Sequence, residues 1–261
     1  MRVALVQSAP VFGDVAINLE ALISAIQSVE AELYVLPELC LTGYDFMDRA
    51  EALRYAEPAD GPVVSALARA ANERGAGLVF GFAEAASGGP FNSSLLALPD
   101  GRRRAYRKTH LFSREKLCFS PGDTGFFVEE FRGLRIGLAI CFDWIFPESF
   151  RTLALRGADL VAHSANLVLP FCQRADFARA VENRIYVATA NRVGAEERSG
   201  ARLSFTGESV LVSPSGDYLA RLAPNKPQVA VVDVDPELSR NKRINAHNDL
   251  FEDRRPEMYE R

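Results

Sequence analysis

The sequence predicts a mixed α/β fold, and two features of the chain support that prediction. Short apolar runs with strand character alternate with amphipathic segments of helical spacing. With 261 residues, 48% of them hydrophobic, the chain is long enough to bury one large core. Since no repeat, low-complexity stretch or linker interrupts it, we expect a single domain over residues 1–261, with 241–261 as an extended carboxyl-terminal tail.

The elements follow in order from a βα unit at the amino terminus. A strand at 3–6 precedes a helix whose apolar residues recur at helical spacing between 19 and 26. Further helices are predicted before the glycines near residues 77 and 157 and over 173–184. Eight more apolar runs predict strands. They cover residues 33–36, 78–83, 94–98, 134–140, 160–163, 187–190, 209–212 and 229–232.

Cys141 closes the apolar run 134–140 and therefore stands at the carboxyl end of a predicted buried strand. In open α/β sheets that edge faces the ligand crevice. A helix beginning near Pro147 would direct its backbone N–H groups towards the same space. Cys141 is thus a candidate nucleophile, although on its position alone a small apolar core residue is an equally good interpretation.

Two charged residues lie within strongly apolar or aromatic stretches and add weight to the catalytic interpretation. They are Glu38, in the segment 33–43, and Lys108, in the segment 106–112. Buried charges need partners, so these two residues are expected to pair inside the protein. Taken alone, the pair is equally well explained as an ion pair that only serves the fold.

Read together, these segments resemble the nitrilase superfamily of carbon–nitrogen hydrolases, whose catalytic set is a glutamate, a lysine and a cysteine. The resemblance covers almost the whole chain. It implies a four-layer α-β-β-α sandwich in which Glu38, Lys108 and Cys141 are catalytic. The matching motifs are Leu36-Pro37-Glu38-Leu39, Tyr106-Arg-Lys-Thr-His-Leu-Phe112, Ile140-Cys-Phe-Asp-Trp-Ile-Phe-Pro-Glu148, His163-Ser-Ala-Asn166 and Glu182-Asn-Arg184.

The remaining candidate site residues surround this set. Glu115 matches by position a second glutamate that many members place beside the cysteine, although a charged Arg-Glu-Lys run is also typical of a solvated turn. Tyr44 and Trp144 are candidate pocket walls, and core packing is a close alternative for both. We also place Phe142, through its backbone N–H, and Asn166 in the substrate site.

These residue types suit hydrolysis through a cysteine thioester, and the resemblance implies a small aliphatic amide as the substrate. Hydrolysis of small nitriles, dinitriles or N-carbamoyl compounds by the same residues is the alternative. Two other classes also stay open. A papain-like thiol enzyme would depend on His110 or His163 instead of Lys108, and a non-catalytic scaffold would release no product.

Composition limits the partners and the cellular setting. A formal net charge of -4 gives no basic excess, so nucleic acid is not an expected partner. No leader pattern or bilayer-length apolar stretch is apparent, and we expect a soluble cytoplasmic protein without a membrane partner. Four scattered cysteines and three histidines show no zinc spacing, so we expect no metal and no cofactor. The resemblance implies a homodimer or higher homo-oligomer.

Overall fold

The computed structural model describes residues 1–259 and contains two six-stranded β-sheets. All nine predicted strands coincide with observed ones, and the short strands between them were not predicted. The strands are β1 (Arg2–Gln7), β2 (Leu33–Val35), β3 (Gly77–Ala86), β4 (Gly89–Ala97), β5 (Arg103–Arg107), β6 (Val128–Phe131), β7 (Leu134–Ile140), β8 (Leu160–Ser164), β9 (Tyr186–Ala190), β10 (Ala195–Glu196), β11 (Leu203–Ser204), β12 (Val210–Val212), β13 (Tyr218–Arg221) and β14 (Gln228–Asp233).

Within residues 1–259, six α-helices connect these strands and a seventh follows the last one. The expected helix ends are present, since α3 and α5 are each followed by a glycine with positive φ, Gly75 (+71°) and Gly157 (+88°). The helices are α1 (Val15–Gln27), α2 (Arg49–Tyr55), α3 (Pro62–Asn72), α4 (Glu115–Cys118), α5 (Pro147–Leu155), α6 (Cys172–Asn183) and α7 (Pro236–Arg240). Two 3-10 helices lie at Cys141–Ile145 and Pro256–Met258.

The layers stack in the order helices, sheet, sheet, helices, which confirms the predicted α-β-β-α sandwich. The first sheet has the strand order β14-β1-β2-β3-β4-β5, and the second has β13-β12-β9-β8-β7-β6. Helices α1 and α3 cover the outer face of the first sheet, and α5 and α6 cover that of the second. The inner faces of the two sheets share one large apolar core, so each central strand is buried on both sides.

Strand direction places several loops at one edge of the sandwich. Strands β1, β2 and β3 are parallel, and β4 turns back so that β5 again runs in their direction. In the second sheet β7, β8 and β9 are parallel. The carboxyl ends of β2, β5, β7 and β8 are therefore the points at which chemistry-bearing loops leave the sheets.

The segment after α7 runs along the helical layer of the second sheet. Lys242 Nζ donates to the carbonyl oxygens of Asn183 and Arg184, at 2.9 and 2.8 Å. A short 3-10 helix at Pro256–Met258 follows. Residues 260 and 261, the last two of the predicted tail, lie outside the described residues.

Candidate active site

The segments that carry the candidate residues leave the carboxyl ends of four strands, two from each sheet. Glu38 follows β2 and Lys108 directly follows β5 in the first sheet. Cys141 directly follows β7 and Asn166 follows β8 in the second. Strands β3 and β8 are in contact across the interface between the sheets, as are β4 and β7. The structure therefore brings together residues that are up to 128 positions apart in the sequence, the difference between 166 and 38.

A tight turn presents Glu38 to the site. The turn continues through Leu39, whose φ is +46°, and packs directly against Gly81 in β3. A Cβ at position 81 would lie 2.4 Å from the Cα of Glu38, which is a steric clash. Only glycine, which has no Cβ, avoids it. The chain thus needs glycine in the middle of this buried strand to seat the glutamate.

The amine of Lys108 lies between two carboxylates. Its Nζ is 2.7 Å from Oε1 of Glu38 and 2.6 Å from Oε1 of Glu115. The same oxygen of Glu115 accepts from the hydroxyl of Tyr44 at 2.5 Å, and its other oxygen accepts from the backbone N–H of Phe112 at 3.2 Å. Since Glu38, Lys108 and Glu115 are at most 5% exposed, these contacts operate in a water-poor environment.

The second oxygen of the Glu38 carboxylate is the available proton acceptor. Oε1 is engaged by Lys108 and by Asn92 Nδ2, the latter at 2.7 Å. Oε2 is buried and has no hydrogen-bond partner among the described residues. Burial, with a further contribution from Glu115, outweighs the attraction of Lys108 and raises the pKa of Glu38 from 4.5 to about 7. A carboxylate of that kind can take and return a proton near neutral pH.

The charge on Lys108 is maintained by its neighbours. Burial by itself lowers the pKa of the amine, but the carboxylates of Glu115 and Glu38 more than reverse this effect. The net result is a pKa above its usual value, so Lys108 is a permanent cation in the site. A fixed positive charge suits the stabilisation of a developing oxyanion.

Cys141 begins the 3-10 helix with a backbone φ of +38°, an unusual conformation for a residue with a side chain. Cys141 is 5% exposed, and its thiol donates to the backbone carbonyl of Asn166 at 3.7 Å. Burial and then the charge of Glu38 raise the pKa of the thiol, and Lys108 opposes them. The thiol is consequently protonated near neutral pH and needs a base to become a nucleophile.

A small depression opens at the thiol. It holds about 240 Å³ of space, the open mouth included, and is lined by Cys141, Phe142, Trp144, Phe112 and residues 166–169. Both side-chain amide atoms of Asn166 are buried without a hydrogen-bond partner among the described residues. The structure thus brings three of the four predicted substrate-site residues together.

Tyr44, the fourth predicted residue, lies beside this depression and does not form part of its wall. It lines a neighbouring cavity with Glu115, Phe46 and Phe119, and its ring packs edge-on against Phe205 at 6.0 Å. Its hydroxyl donates to the Glu115 oxygen that also contacts Lys108, and the charges of Glu38 and Cys141 act on it as well.

Two polar residues at the site were not among the predicted ones. Asn92, in β4, contacts two of the catalytic candidates. Its side chain donates to Glu38, and its backbone carbonyl accepts from the backbone N–H of Lys108 at 2.8 Å. Asp143 is fully buried and accepts from the N–H of Ile140 at 2.9 Å, which stabilises the turn into the 3-10 helix. In the sequence Asn92 is followed by Ser93 and Ser94, so no apolar context marked it as a buried site residue.

One group of side chains in the described part of the chain has the composition of a metal site. Donor atoms of His163, Cys172 and Asp176 lie within 4.8 Å of one another. Hydrogen bonds account for this group, because both ring nitrogens of His163 already have partners in Thr189 and the carbonyl of Cys141.

No helix among residues 1–259 is long and apolar enough to cross a membrane.

A buried cysteine at the edge of two stacked sheets, beside a carboxylate and a paired lysine, defines a cysteine-dependent hydrolase. The family model for carbon-nitrogen hydrolase matches residues 2–244. The chain therefore belongs to the carbon-nitrogen hydrolase family, and it is an enzyme that acts on carbon–nitrogen bonds.

Known proteins of this family are similar over nearly the full chain. A nitrilase of Pyrococcus abyssi is 46% identical over 241 residues, which cover 92% of this chain and 90% of that protein. An (R)-stereoselective amidase of a Pseudomonas species is 37% identical over 98% of this chain and 92% of its own length. The crystal structure of an amidase from a Nesterenkonia species has a TM-score of 0.83 at 32% identity, covering 99% of this chain and 95% of that one.

Proposed function

We propose that this enzyme hydrolyses primary amides of short aliphatic acids through a thioester on Cys141. The observation that carries the proposal is the placement of Lys108 between Glu38 and Glu115, at 2.7 and 2.6 Å, with the charges of all three acting on the Cys141 thiol. This arrangement supplies a nucleophile, a proton carrier and a cation for the oxyanion in one buried site.

In the first half of the reaction Glu38 takes the thiol proton, and the sulfur of Cys141 attacks the carbonyl carbon of the amide. The negative charge moves to the carbonyl oxygen, where Lys108 and the backbone N–H of Phe142 stabilise it. The carbon–nitrogen bond then breaks. The leaving nitrogen takes the proton from Glu38 and departs as ammonia, which leaves a thioester.

In the second half a water molecule attacks the thioester while Glu38 accepts one of its protons. The carbon–sulfur bond breaks, the carboxylic acid is released, and the proton returns to Cys141. Each half uses the unpartnered Oε2 of Glu38, the oxygen that makes no other hydrogen bond among the described residues. One raised-pKa carboxyl thus serves as base and acid in turn.

The lining of the depression supports a short aliphatic amide as substrate. The walls are apolar apart from Asn166, whose unpartnered amide can accept from an N–H group and donate to a carbonyl. A primary amide offers both groups, whereas a nitrile offers only an acceptor.

Nitrile hydrolysis is the second candidate, and the 46% identity to the Pyrococcus nitrilase favours it. With a nitrile the first adduct would be a thioimidate. Water would then add to its carbon, and the protonated nitrogen would leave as ammonia to give the same thioester. N-carbamoyl compounds would also use the same residues, and two plant relatives are N-carbamoylputrescine amidases at 28% and 29% identity.

Ammonia release from a panel of short amides, carbamoyl compounds, nitriles and dinitriles tests the proposal, with Cys141→Ala as the matched control. Release from amides that disappears in Cys141→Ala is the expected result. Faster release from nitriles would select the second candidate. Silence across the panel, with Cys141 alkylated no faster than Cys40 or Cys172, would contradict an amidase and favour a scaffold.

We also propose that the enzyme is a homodimer or higher homo-oligomer assembled through the helix and loops that follow Cys141, together with the tail. Apolar side chains are exposed there, with Ile145 at 42%, Phe171 at 55% and Phe177 at 46%. Light scattering at micromolar concentration tests this, since a monomeric mass would refute it.

A further inference from the structure

A chain of hydrogen bonds runs from helix α6 to the peptide group that follows the nucleophile. Oδ2 of Asp176 lies 2.8 Å from Oγ1 of Thr189, and that hydroxyl lies 2.9 Å from Nδ1 of His163. The other ring nitrogen of His163, Nε2, is 2.9 Å from the carbonyl oxygen of Cys141. Asp176, Thr189 and His163 are all 0% exposed, so bulk water supplies none of their partners.

The proton positions follow from the last member of this chain. A carbonyl oxygen can only accept, so Nε2 of His163 must carry the proton that faces Cys141. In a neutral imidazole Nδ1 is then an acceptor, and the single hydroxyl proton of Thr189 must point towards it. An ionised Asp176 would accept from the Thr189 hydroxyl. With a neutral ring that hydroxyl has no proton left to donate, so the neutral form implies a protonated Asp176 that donates to Thr189.

The environment favours this neutral form over the alternative, a histidinium paired with an ionised Asp176. Burial lowers the pKa of His163 from 6.5 to about 4, against the opposing effect of its bond to the Cys141 carbonyl. Burial also raises the pKa of Asp176 from 3.8 to about 7. The thiol of Cys172, 3.7 Å from Oδ1 of Asp176, is a further donor that suits the carbonyl oxygen of a protonated acid.

The carbonyl held by His163 belongs to the same planar peptide group as the N–H of Phe142. The two bonds point in opposite directions in a trans peptide, and no cis peptide occurs in the described residues. Phe142 is the second residue of the 3-10 helix, so its N–H has no acceptor within that helix. A donor on the carbonyl therefore fixes the direction of this N–H and also polarises it.

We infer that Asp176, Thr189 and His163 form a neutral hydrogen-bond relay that orients and polarises the Phe142 N–H as an oxyanion donor. The inference rests on the proposed function, in which that N–H stabilises the tetrahedral oxyanion. The three side chains are positioning residues, since they act through the peptide group of Cys141 and Phe142. His163 thus acts on the backbone of the nucleophile and not on its thiol. It differs from a papain-type base because its two ring nitrogens contact Thr189 and the Cys141 carbonyl.

The first test observes the protons directly and needs no substrate. In the full chain labelled with 15N-histidine, near neutral pH, His163 is expected as the neutral tautomer with its proton on Nε2. His163→Gln identifies the signal among the three histidines of the chain. A proton on Nδ1 alone, or on both nitrogens, would overturn the neutral relay whatever the enzyme hydrolyses.

The second test separates the oxyanion site from the thiol. In Thr189→Val the ring loses the hydroxyl that fixes its tautomer, and we expect kcat for amide hydrolysis to fall about tenfold or more with little change in KM, because an oxyanion donor acts mainly in the transition state. Alkylation of Cys141 by iodoacetamide forms no oxyanion, so its rate should not change. Equal losses in both reactions, or no loss of kcat, would refute the assignment.

Paired variants at Asp176 give the control for folding. Asparagine keeps an N–H donor for Thr189 and leucine has none, so Asp176→Asn should recover most of the kcat that Asp176→Leu loses. Thr189→Ser should likewise recover the loss of Thr189→Val. If Asp176→Asn is as impaired as Asp176→Leu while both unfold at the same urea concentration, the neutral acid is the wrong species and the relay is disproved.

Discussion

Replacing Glu38 with glutamine should make the folded enzyme more stable at high pH while it abolishes most activity. The carboxyl is 0% exposed, and burial raises its pKa from 4.5 to about 7. A raised carboxyl pKa means that the folded state holds the proton more tightly than the unfolded state. The stability that this group contributes is therefore complete below pH 4.5 and is lost as the pH rises to about 7.

The size of the effect follows from that interval. About 2.5 pKa units separate 4.5 from about 7, and each unit corresponds to about 1.4 kcal/mol, so ionised Glu38 costs the folded state about 3 kcal/mol. Glutamine is never ionised and is free of this cost at every pH. It does place an amide N–H at the position of the unpartnered Oε2, a penalty of about 1–3 kcal/mol that does not vary with pH.

Urea unfolding of both proteins over the pH range measures the prediction. The difference in unfolding free energy should shift in favour of Glu38→Gln by about 3 kcal/mol between the acid and alkaline limits. Glu148→Gln, at an exposed position on α5, is the matched control and should show no such trend. If the difference in unfolding free energy between Glu38→Gln and the parent stays constant across this range, ionisation of Glu38 does not destabilise the folded state and the reasoning is refuted. Loss of amide hydrolysis by about 10²–10⁴-fold is expected in the same variant.

Three further outcomes follow from the site and the core. Lys108→Met should lower kcat by about 10²–10³-fold, because the variant loses a group that stabilises the oxyanion. Lys116→Met, at an exposed position, is the control and should not lower kcat. Equal activity of the two variants would show that Lys108 has no part in the mechanism. Gly81→Ala should abolish ammonia release, because its Cβ would lie 2.4 Å from the Cα of Glu38, and full activity would show that the turn can move. Phe150→Ala should cost about 3–5 kcal/mol in urea unfolding, since the ring is 0% exposed; a loss below 1 kcal/mol would contradict its place in the core.

The sequence predicted the fold well where strands are buried on both faces. Apolar runs such as those of β7 and β8 have no polar face to confuse the pattern, and their positions coincide with the observed strands. Strand β5 was not predicted because its sequence, Arg103-Arg-Ala-Tyr-Arg107, has only Tyr106 buried. A strand at the edge of its sheet with charged side chains lacks the hydrophobic signal on which the prediction depends.

The site was predictable to the extent that its residues form local motifs. Glu38, Lys108 and Cys141 each sit in a recognisable segment, and the structure places those segments at one edge of the sandwich. Thr189 could not be identified, because it stands in the apolar run of β9 with no motif around it. Its importance in the relay comes from contacts with residues 13 and 26 positions away, which periodicity does not report.

In the proposed mechanism, the buried charges explain why the thiol keeps its proton until the attack and why that proton must then pass to the Glu38 carboxylate. Glu38, Glu115 and Lys108 together hold two acidic groups and one cation within hydrogen-bond distance. Full ionisation of these three groups would leave one uncompensated negative charge in a buried site, and ionising Cys141 would add a second. The lysine can therefore stabilise only one further anion at a time. When the substrate oxygen becomes that anion, the proton leaving Cys141 must reside on Glu38, and this requirement couples proton transfer to nucleophilic attack.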